Sequence, residues 1–132
     1  MQFLGWDPHL DARLSRTGIL LATARNEPLG LTVLEAMAHG VPVIATDAGG
    51  HRETVGAVER TYTTPPADRE SMAQGLVTLA SSVQERQRYG EALRQEQRRN
   101  FNLARHSQEV LRLYQQALGG EPKSVAMNSG RG

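Results

Sequence analysis

The sequence contains no cysteine among its 132 residues. Disulfide bonds, thiolate nucleophiles and cysteine-based metal sites are therefore excluded. The four histidines show no spacing that is typical of metal ligands. Neither a G-x-G-x-x-G fingerprint nor a P-loop occurs, which disfavours a dinucleotide or ATP site. The sequence therefore gives no sign of a cysteine-based site, a histidine metal site, or a dinucleotide or ATP site.

Long hydrophobic runs and a strong net charge are also absent. The longest apolar runs lie around Ile19–Ala22 and Val41–Ala45, far short of the roughly 20 residues that a membrane-spanning helix needs. The N-terminus has neither the basic region nor the long apolar stretch of a signal peptide. The net charge of +1 gives no field that would favour nucleic acid. We therefore expect a soluble, cytoplasmic chain without a transmembrane segment or a nucleic-acid partner.

Strand-like and helix-like segments alternate in a chain of the size of one domain. The predicted strands are Gln2–Leu4, Ile19–Thr23, Val41–Thr46 and Arg60–Thr64. The predicted helices are His9–Ser15, Leu31–His39, His51–Val55, a helix after Asp68, Ser82–Arg99 and His106–Leu118. This alternation predicts parallel βαβ units. Because a whole doubly wound domain carries about five or six strands, the sheet is expected to be incomplete.

Some helix ends and surfaces can be predicted in more detail. Gly40 stands where a left-handed C-cap would end a helix, and Asp68 is a good N-cap. Residues 82–99 are rich in arginine, glutamate and glutamine, with few apolar positions. They predict a mostly solvated helix, in preference to a nucleic-acid or membrane surface. The tail, 119–132, has no periodicity and is predicted to be disordered.

The segment that carries chemistry follows the predicted strand Ile19–Thr23. Glu27 lies in the loop after this strand, which is where ligands bind in open α/β sheets. Gly30 allows the backbone to approach a ligand, and Leu31 and Thr32 begin a helix whose free N–H groups form an anion site. Glu35 lies one turn into that helix, and its side chain leans back toward the N-terminal end. An anion site flanked by two carboxylates suits a phosphorylated polyol.

Other interpretations stay open for the two acids, and for the glycine pair and the histidine that follow later in the chain. Glu27 and Glu35 could be ordinary surface acids, or the two carboxylates of a glycoside hydrolase. The pair Gly49-Gly50 could be a simple turn. His51, which follows this pair, could reach a ligand, although we expect it to be a solvated residue.

The sequence around the two acids resembles glycosyltransferase family 4. Glu27 and Glu35 have seven residues between them, which is the E-x7-E pattern of retaining glycosyltransferases, within the words EPLGLTVLEAMAHGVPVIATDAGGHRETV. The resemblance is strong from Phe3 to Val55 and weaker as far as Leu118. It implies an α/β fold, a partial Rossmann-like parallel sheet with flanking helices from the C-terminal domain of a GT-B enzyme. This domain would span 1–118, with a core of 2–82 and C-terminal helices of 83–118.

The resemblance also implies a reaction and a set of roles. A glycosyl unit would be transferred with retention from a nucleotide-diphosphate sugar to an unknown acceptor, without a metal or other cofactor. Glu27 would be the catalytic residue, orienting hydroxyls of the sugar without acting as a base, and Glu35 would hold the ribose. The donor-binding residues so implied are Glu27, Gly30, Leu31, Thr32, Glu35, Gly49 and Gly50.

Two departures from the family pattern bear on what the chain does alone. Pro28-Leu29-Gly30 replaces Gly-Phe-Gly, which keeps the glycine of the anion site while the donor choice can differ. The family's arginine and lysine for the diphosphate, and its acceptor-binding domain, precede the region that this chain matches. We therefore expect a fragment that is inactive alone, with the N-terminal GT-B domain possibly on another chain. The alternative is a non-catalytic remnant that acts as an interaction module.

Overall fold

A computed structural model describes residues 2–3 and 5–119 of the chain. The chain falls into two compact units, one ending at Phe101 and one beginning at Asn102. The first unit contains α1 (Leu10–Leu14), β1 (Leu20–Ala22), α2 (Leu31–Ala38), β2 (Val43–Thr46), α3 (Gly50–Thr54), a 3-10 helix (Val55–Ala57), β3 (Thr63–Thr64), α4 (Arg69–Ser81) and α5 (Val83–Asn100). The second unit contains α6 (Leu103–Ala117).

The strands found in the described residues form one parallel sheet in the order β1-β2-β3. Leu20 of β1 is in register with Val43 of β2, and Ala45 of β2 is in register with Thr63 of β3. Helix α2 connects β1 to β2, and α3 lies between β2 and β3. All four residues of β2 are buried, as is usual for a parallel strand that is covered on both faces. This arrangement confirms the predicted α/β fold with a partial parallel sheet flanked by helices.

The two predicted helix caps are confirmed. Gly40 has a φ of 69° just after α2, and its N–H donates to the carbonyl of Met37 at 2.9 Å. A residue other than glycine rarely adopts this left-handed conformation, so Gly40 ends the helix. At the start of α4, the Asp68 carboxylate accepts a hydrogen bond from the N–H of Ser71 at 3.0 Å.

The first and the last of the predicted strands differ from the structure. Gln2 and Phe3 adopt no regular structure, so the strand predicted there is wrong over these residues, and Leu4 lies outside the described residues. The strand predicted over Arg60–Thr64 is reduced to Thr63–Thr64. Arg60 has a φ of 56°, and this left-handed conformation is incompatible with an extended strand at that residue.

Helix α5 is mostly solvated, as its composition predicts, but one stripe of it is buried. Tyr89, Gly90 and Leu93 are buried, and they form a narrow stripe on one face. The Tyr89 hydroxyl donates to the carbonyl of Val43 at 3.0 Å and accepts from the N–H of Tyr62 at 3.3 Å. A Cβ on Gly90 would lie 2.0 Å from a backbone oxygen at the end of α2. Helix α5 therefore packs against the rest of the first unit through two large side chains and one glycine.

The second unit is described by helix α6. The helix begins after Asn102, whose side chain accepts a hydrogen bond from the N–H of Arg105 at 2.9 Å. The predicted disordered tail lies outside the described residues, except for Gly119. Among the residues that the structure describes, none of the helices has the length and apolar character needed to cross a membrane.

Candidate functional site

A cavity of about 550 Å³ lies beside β1 and the N-terminal end of α2. It is lined by residues 20–24, residues 27–33 and His51. These residues come from a strand, from the loop after it and from the start of the next helix, which is the position where open α/β sheets bind ligands. Apolar walls with a few convergent polar groups are also typical of small-molecule sites. The structure therefore places the predicted loop in the wall of a cavity.

The loop before α2 is held by its own glutamate. Glu27 Oε1 accepts a hydrogen bond from the N–H of Gly30 at 2.9 Å. Gly30 has a φ of 85° and is the N-cap of α2, a left-handed conformation that glycine adopts without strain. One of the amides predicted to meet a ligand is therefore used inside the protein. The anion site is left with the N–H groups of Leu31 and Thr32, which have no partner within the helix.

The first turn of α2 is accessible from the cavity. Leu31 and Thr32 line the cavity, and Leu31 is 69% exposed. The N–H groups at a helix start, together with the helix dipole, favour negatively charged groups. The structure therefore brings four of the predicted donor-binding residues together in one cavity wall: Glu27, Gly30, Leu31 and Thr32.

The second predicted acid lies outside this wall. Glu35 is exposed and does not line the cavity. It lies one turn along α2 from Leu31, on the same face of the helix. A glycoside hydrolase needs two carboxylates that face each other across its substrate. Among the described residues that line the cavity, Glu27 is the one acid. The second carboxylate that a glycoside hydrolase needs is therefore not found in this lining.

The predicted glycine pair lies behind the loop and does not line the cavity. The N–H of Gly50 donates to the carbonyl of Glu27 at 2.7 Å. A Cβ on Gly49 would lie 2.3 Å from that carbonyl oxygen, and a Cβ on Gly50 would lie 2.5 Å from the Cα of Leu29. Real Cβ atoms essentially never approach other atoms so closely. In this structure the two glycines are needed because the backbone of α3 supports the backbone of the loop.

His51 lines the cavity, although the sequence predicts that it is exposed to solvent. The expectation of a solvated residue is wrong, since the side chain is 1% exposed and lines the cavity. Its Nδ1 lies 3.2 Å from Thr46 Oγ1. It is buried because Gly50 brings the start of α3 against the loop, and the next residue is then covered. The only signal in the sequence is the preceding glycine pair, which does not specify what packs on it.

The polar groups of the cavity are few. Of the described residues that line it, Glu27 and His51 are ionisable, and none is lysine or arginine. In the part of the chain that the structure describes, no group of three or more potential metal ligands lies close together. The arrangement offers backbone amides, one carboxylate and one imidazole to a ligand. Amides at a helix start suit a phosphate, and the carboxylate suits hydroxyl groups.

The fold and this cavity define an α/β protein in which a helix start opens into a cavity at the carboxyl ends of parallel strands. The family model described as "Glycosyl transferases group 1" matches residues 1–96. The chain belongs to the group 1 glycosyltransferases. The finer assignment to family 4 stays a prediction.

Three known proteins illustrate the likeness. The lipopolysaccharide core biosynthesis mannosyltransferase LpcC of Rhizobium leguminosarum bv. viciae is 31% identical over 117 residues, which cover 89% of this chain and 33% of that protein. The sucrose-phosphate synthase structure from Thermosynechococcus elongatus has a TM-score of 0.80 and 28% identity, over 89% of this chain and 30% of the other. The structure of HepE from Anabaena, in complex with UDP-glucose, has a TM-score of 0.79 and 22% identity, over 87% and 32%.

These comparisons identify the fold as part of a GT-B glycosyltransferase. The chain spans about a third of the length of the relatives it matches. The activity, substrates and partners of those whole proteins are therefore not shown for this chain, and they can only be proposed for it.

Proposed function

We propose that this chain binds a nucleotide-diphosphate sugar in the cavity at the start of α2, as the donor of a glycosyl transfer. The observation that carries the proposal is the accessible first turn of α2, where Leu31 and Thr32 line a cavity that also contains the Glu27 carboxylate. A diphosphate would meet the N–H groups and the sugar would meet the acid. The UDP-glucose in the structure of HepE, which has a similar fold, supports a ligand of this class.

The proposed roles follow the geometry of α2. The amides of Leu31 and Thr32 would stabilise the negative charge that develops on the leaving diphosphate. Glu27 would orient the sugar through its second carboxylate oxygen, since the first accepts the N–H of Gly30. The ribose would extend over Leu31 to Glu35, which lies on the same face of the helix. The E-x7-E pattern supports retention at the anomeric carbon, and we propose that no metal takes part.

We further propose that this chain binds the donor without transferring the sugar. A diphosphate leaving group ordinarily needs cations, and no described lining residue is lysine or arginine. The cations and the acceptor site would be supplied from outside the described cavity lining, by another part of the protein or by a partner chain. An assay with UDP-glucose and this chain alone should release neither UDP nor glucose above the rate in buffer.

The binding proposal is tested by calorimetric titration of UDP, GDP and ADP into the parent chain and into Glu35→Ala. We expect one nucleotide to bind weakly, with a Kd on the order of 0.1–1 mM, because no described residue of the cavity lining offers a cation to the diphosphate. Glu35→Ala should weaken that binding at least about tenfold, the usual effect of losing hydrogen bonds to a charged group. Glu59→Ala, which removes another exposed glutamate, is the matched control and should bind like the parent.

Two results would contradict the proposal. If no nucleotide binds to the parent, the cavity is not a donor site in this chain. If Glu35→Ala binds as well as the parent, the ribose does not reach Glu35 and the placement of the donor along α2 is wrong. A titration in EDTA tests the metal: the Kd should be unchanged, and a loss of binding would show that a divalent cation is required.

A further inference from the structure

His51 is a buried imidazole that the proposed function leaves without a role. It belongs to α3, is 1% exposed and lines the cavity beside α2. A buried polar side chain normally has hydrogen-bond partners for its nitrogens. One nitrogen, Nδ1, lies 3.2 Å from Thr46 Oγ1 at the end of β2. The role of the ring therefore depends on what the second nitrogen, Nε2, can bind.

Thr46 determines which nitrogen carries the proton. Its hydroxyl donates a hydrogen bond to the carbonyl of Ala24, in the loop after β1. A threonine hydroxyl has one proton, so Thr46 Oγ1 can only accept from His51. Nδ1 must therefore be protonated, and the neutral ring has its lone pair at Nε2.

The ring also has a defined direction. His51 Cδ2 lies 3.3 Å from the position that a Cβ on Gly30 would occupy. Because Nε2 is bonded to Cδ2, this edge of the ring is directed toward the start of α2. The Gly30 N–H already donates to Glu27, so it does not supply the hydrogen bond that Nε2 can accept.

The chemistry of the proposed ligand selects the partner. Diphosphate oxygens are acceptors and bring no proton to a lone pair, whereas a sugar hydroxyl is a donor. We propose that Nε2 of His51 accepts a hydrogen bond from a hydroxyl of the glycosyl group, and so recognises the sugar part of the donor. This inference rests on the proposed function and goes beyond it, since it adds a residue on α3 to the contact that Glu27 would make with the sugar.

The test compares nucleotides with and without the sugar in His51→Asn. The asparagine amide can still donate to Thr46 from about the position of Nδ1, but it has no group at the position of Nε2. Calorimetry would use UDP and UDP-glucose, GDP and GDP-mannose, and ADP and ADP-glucose. For the pair that the parent binds, we expect the sugar nucleotide to bind about fivefold to tenfold more weakly to the variant, the usual effect of one neutral hydrogen bond. The nucleoside diphosphate should bind within about twofold of the parent.

A second variant tests the position of the lost group. His51→Gln places an amide oxygen near the position of Nε2 and should restore part of the affinity for the sugar nucleotide. Equal losses for both ligands in His51→Asn would assign His51 to the structure of the loop and overturn the inference, while leaving the proposed function in place. An unchanged affinity for the sugar nucleotide would also overturn it. If the parent binds neither ligand, the proposed function fails and this inference fails with it.

The parent chain gives an independent readout that needs no variant. Nitrogen-15 NMR of the neutral His51 ring should show Nδ1 protonated and Nε2 unprotonated. Saturation with the sugar nucleotide should shift the Nε2 resonance, and the nucleoside diphosphate should shift it less. A proton on Nε2 of the neutral ring, or an Nε2 resonance that the sugar nucleotide leaves in place, would contradict the proposal.

Discussion

The glycines at the start of α3 leave room for the backbone of the loop before α2. A Cβ on Gly50 would lie 2.5 Å from the Cα of Leu29 and 2.7 Å from the carbonyl oxygen of Pro28. Both neighbours are backbone atoms, so relief requires the loop itself to move. We predict that Gly50→Ala lowers nucleotide affinity at least about tenfold, since a shifted loop displaces the first turn of α2. The free energy of unfolding should fall by about 1–3 kcal/mol.

Calorimetry and urea unfolding measure these two effects. Gly56→Ala is the matched control, because it adds the same methyl group a short distance along the chain. Its Cβ would have its nearest neighbours at 3.7 and 3.8 Å, which is ordinary contact. The control should bind like the parent. Parent-like affinity in Gly50→Ala would mean that binding does not depend on the position of the loop.

Single residues of the site differ in how far the sequence predicts them. Glu27, Gly30 and Thr32 are predicted because the loop and helix start are local signals, read from neighbouring residues. The support given by Gly50 and the burial of His51 are not predicted, because they depend on contacts between segments that lie far apart in the chain. A glycine pair indicates that backbone comes close, and the fold alone decides to what.

At the scale of the elements, a hydrogen bond from Tyr62 to Glu85 attaches α5 to the residue before β3, and the ion pair between Glu85 and Arg88 lies within α5 itself. Glu85, in the first turn of α5, accepts hydrogen bonds from Arg88 at 2.6 and 2.9 Å and from the Tyr62 hydroxyl at 2.9 Å. Tyr62 lies just before β3. The hydrogen bonds from Arg88 and then from Tyr62 lower the pKa of Glu85 from 4.5 to about 2. The ionised carboxylate therefore stabilises the attachment of the helix.

This attachment predicts a pH dependence of stability. Because the pKa of Glu85 is lowered in the folded chain, its contribution is present above about pH 4.5 and is lost as the pH falls toward about 2. Glu85→Gln should lower the free energy of unfolding at pH 7 by about 1 kcal/mol, a modest value because the pair is partly exposed. Urea unfolding between pH 7 and pH 2 should show the gap between parent and variant closing below pH 4.5.

The neighbouring pair on the same helix provides the control. Glu91 and Arg94 have the same spacing, but the Glu91 side chain is more exposed than that of Glu85, and no tyrosine hydrogen bond to Glu91 is found in the described residues. Glu91→Gln should therefore cost less than half as much at pH 7. A difference between parent and Glu85→Gln that stays constant from pH 7 to pH 2 would show that the carboxylate charge does not contribute.

The element pattern was predictable from the sequence where the periodicity is strong. The helices and the strands β1 and β2 follow from apolar spacing and from caps such as Asp68 and Gly40. The buried stripe of α5 did not follow, because the polar composition of this helix indicates a solvated surface. It is decided by Tyr89, whose hydroxyl reaches the carbonyl of Val43, 46 positions earlier in the chain. No local pattern contains a contact of that range.

At the scale of the whole molecule, the first unit contains every residue to which donor binding is assigned. Among the described residues, the buried hydrophobic core extends from Leu14 to Leu93. The cavity lies within residues 20–51. Helix α6, in the second unit, contributes no buried residue. The ability to fold and to bind a donor should therefore be a property of the residues up to Phe101.

Two truncations test this division. A chain that ends after Phe101 keeps the core and the cavity, so it should unfold cooperatively and bind the nucleotide within about twofold of the full chain. A chain that ends after Ser82 loses Tyr89 and Leu93, both 0% exposed. Large buried side chains each contribute about 2–5 kcal/mol, against a total of about 5–15 kcal/mol for a typical domain. The shorter chain should therefore be unfolded by circular dichroism and bind no nucleotide, and if the longer truncation also fails to fold, the first unit depends on residues beyond Phe101.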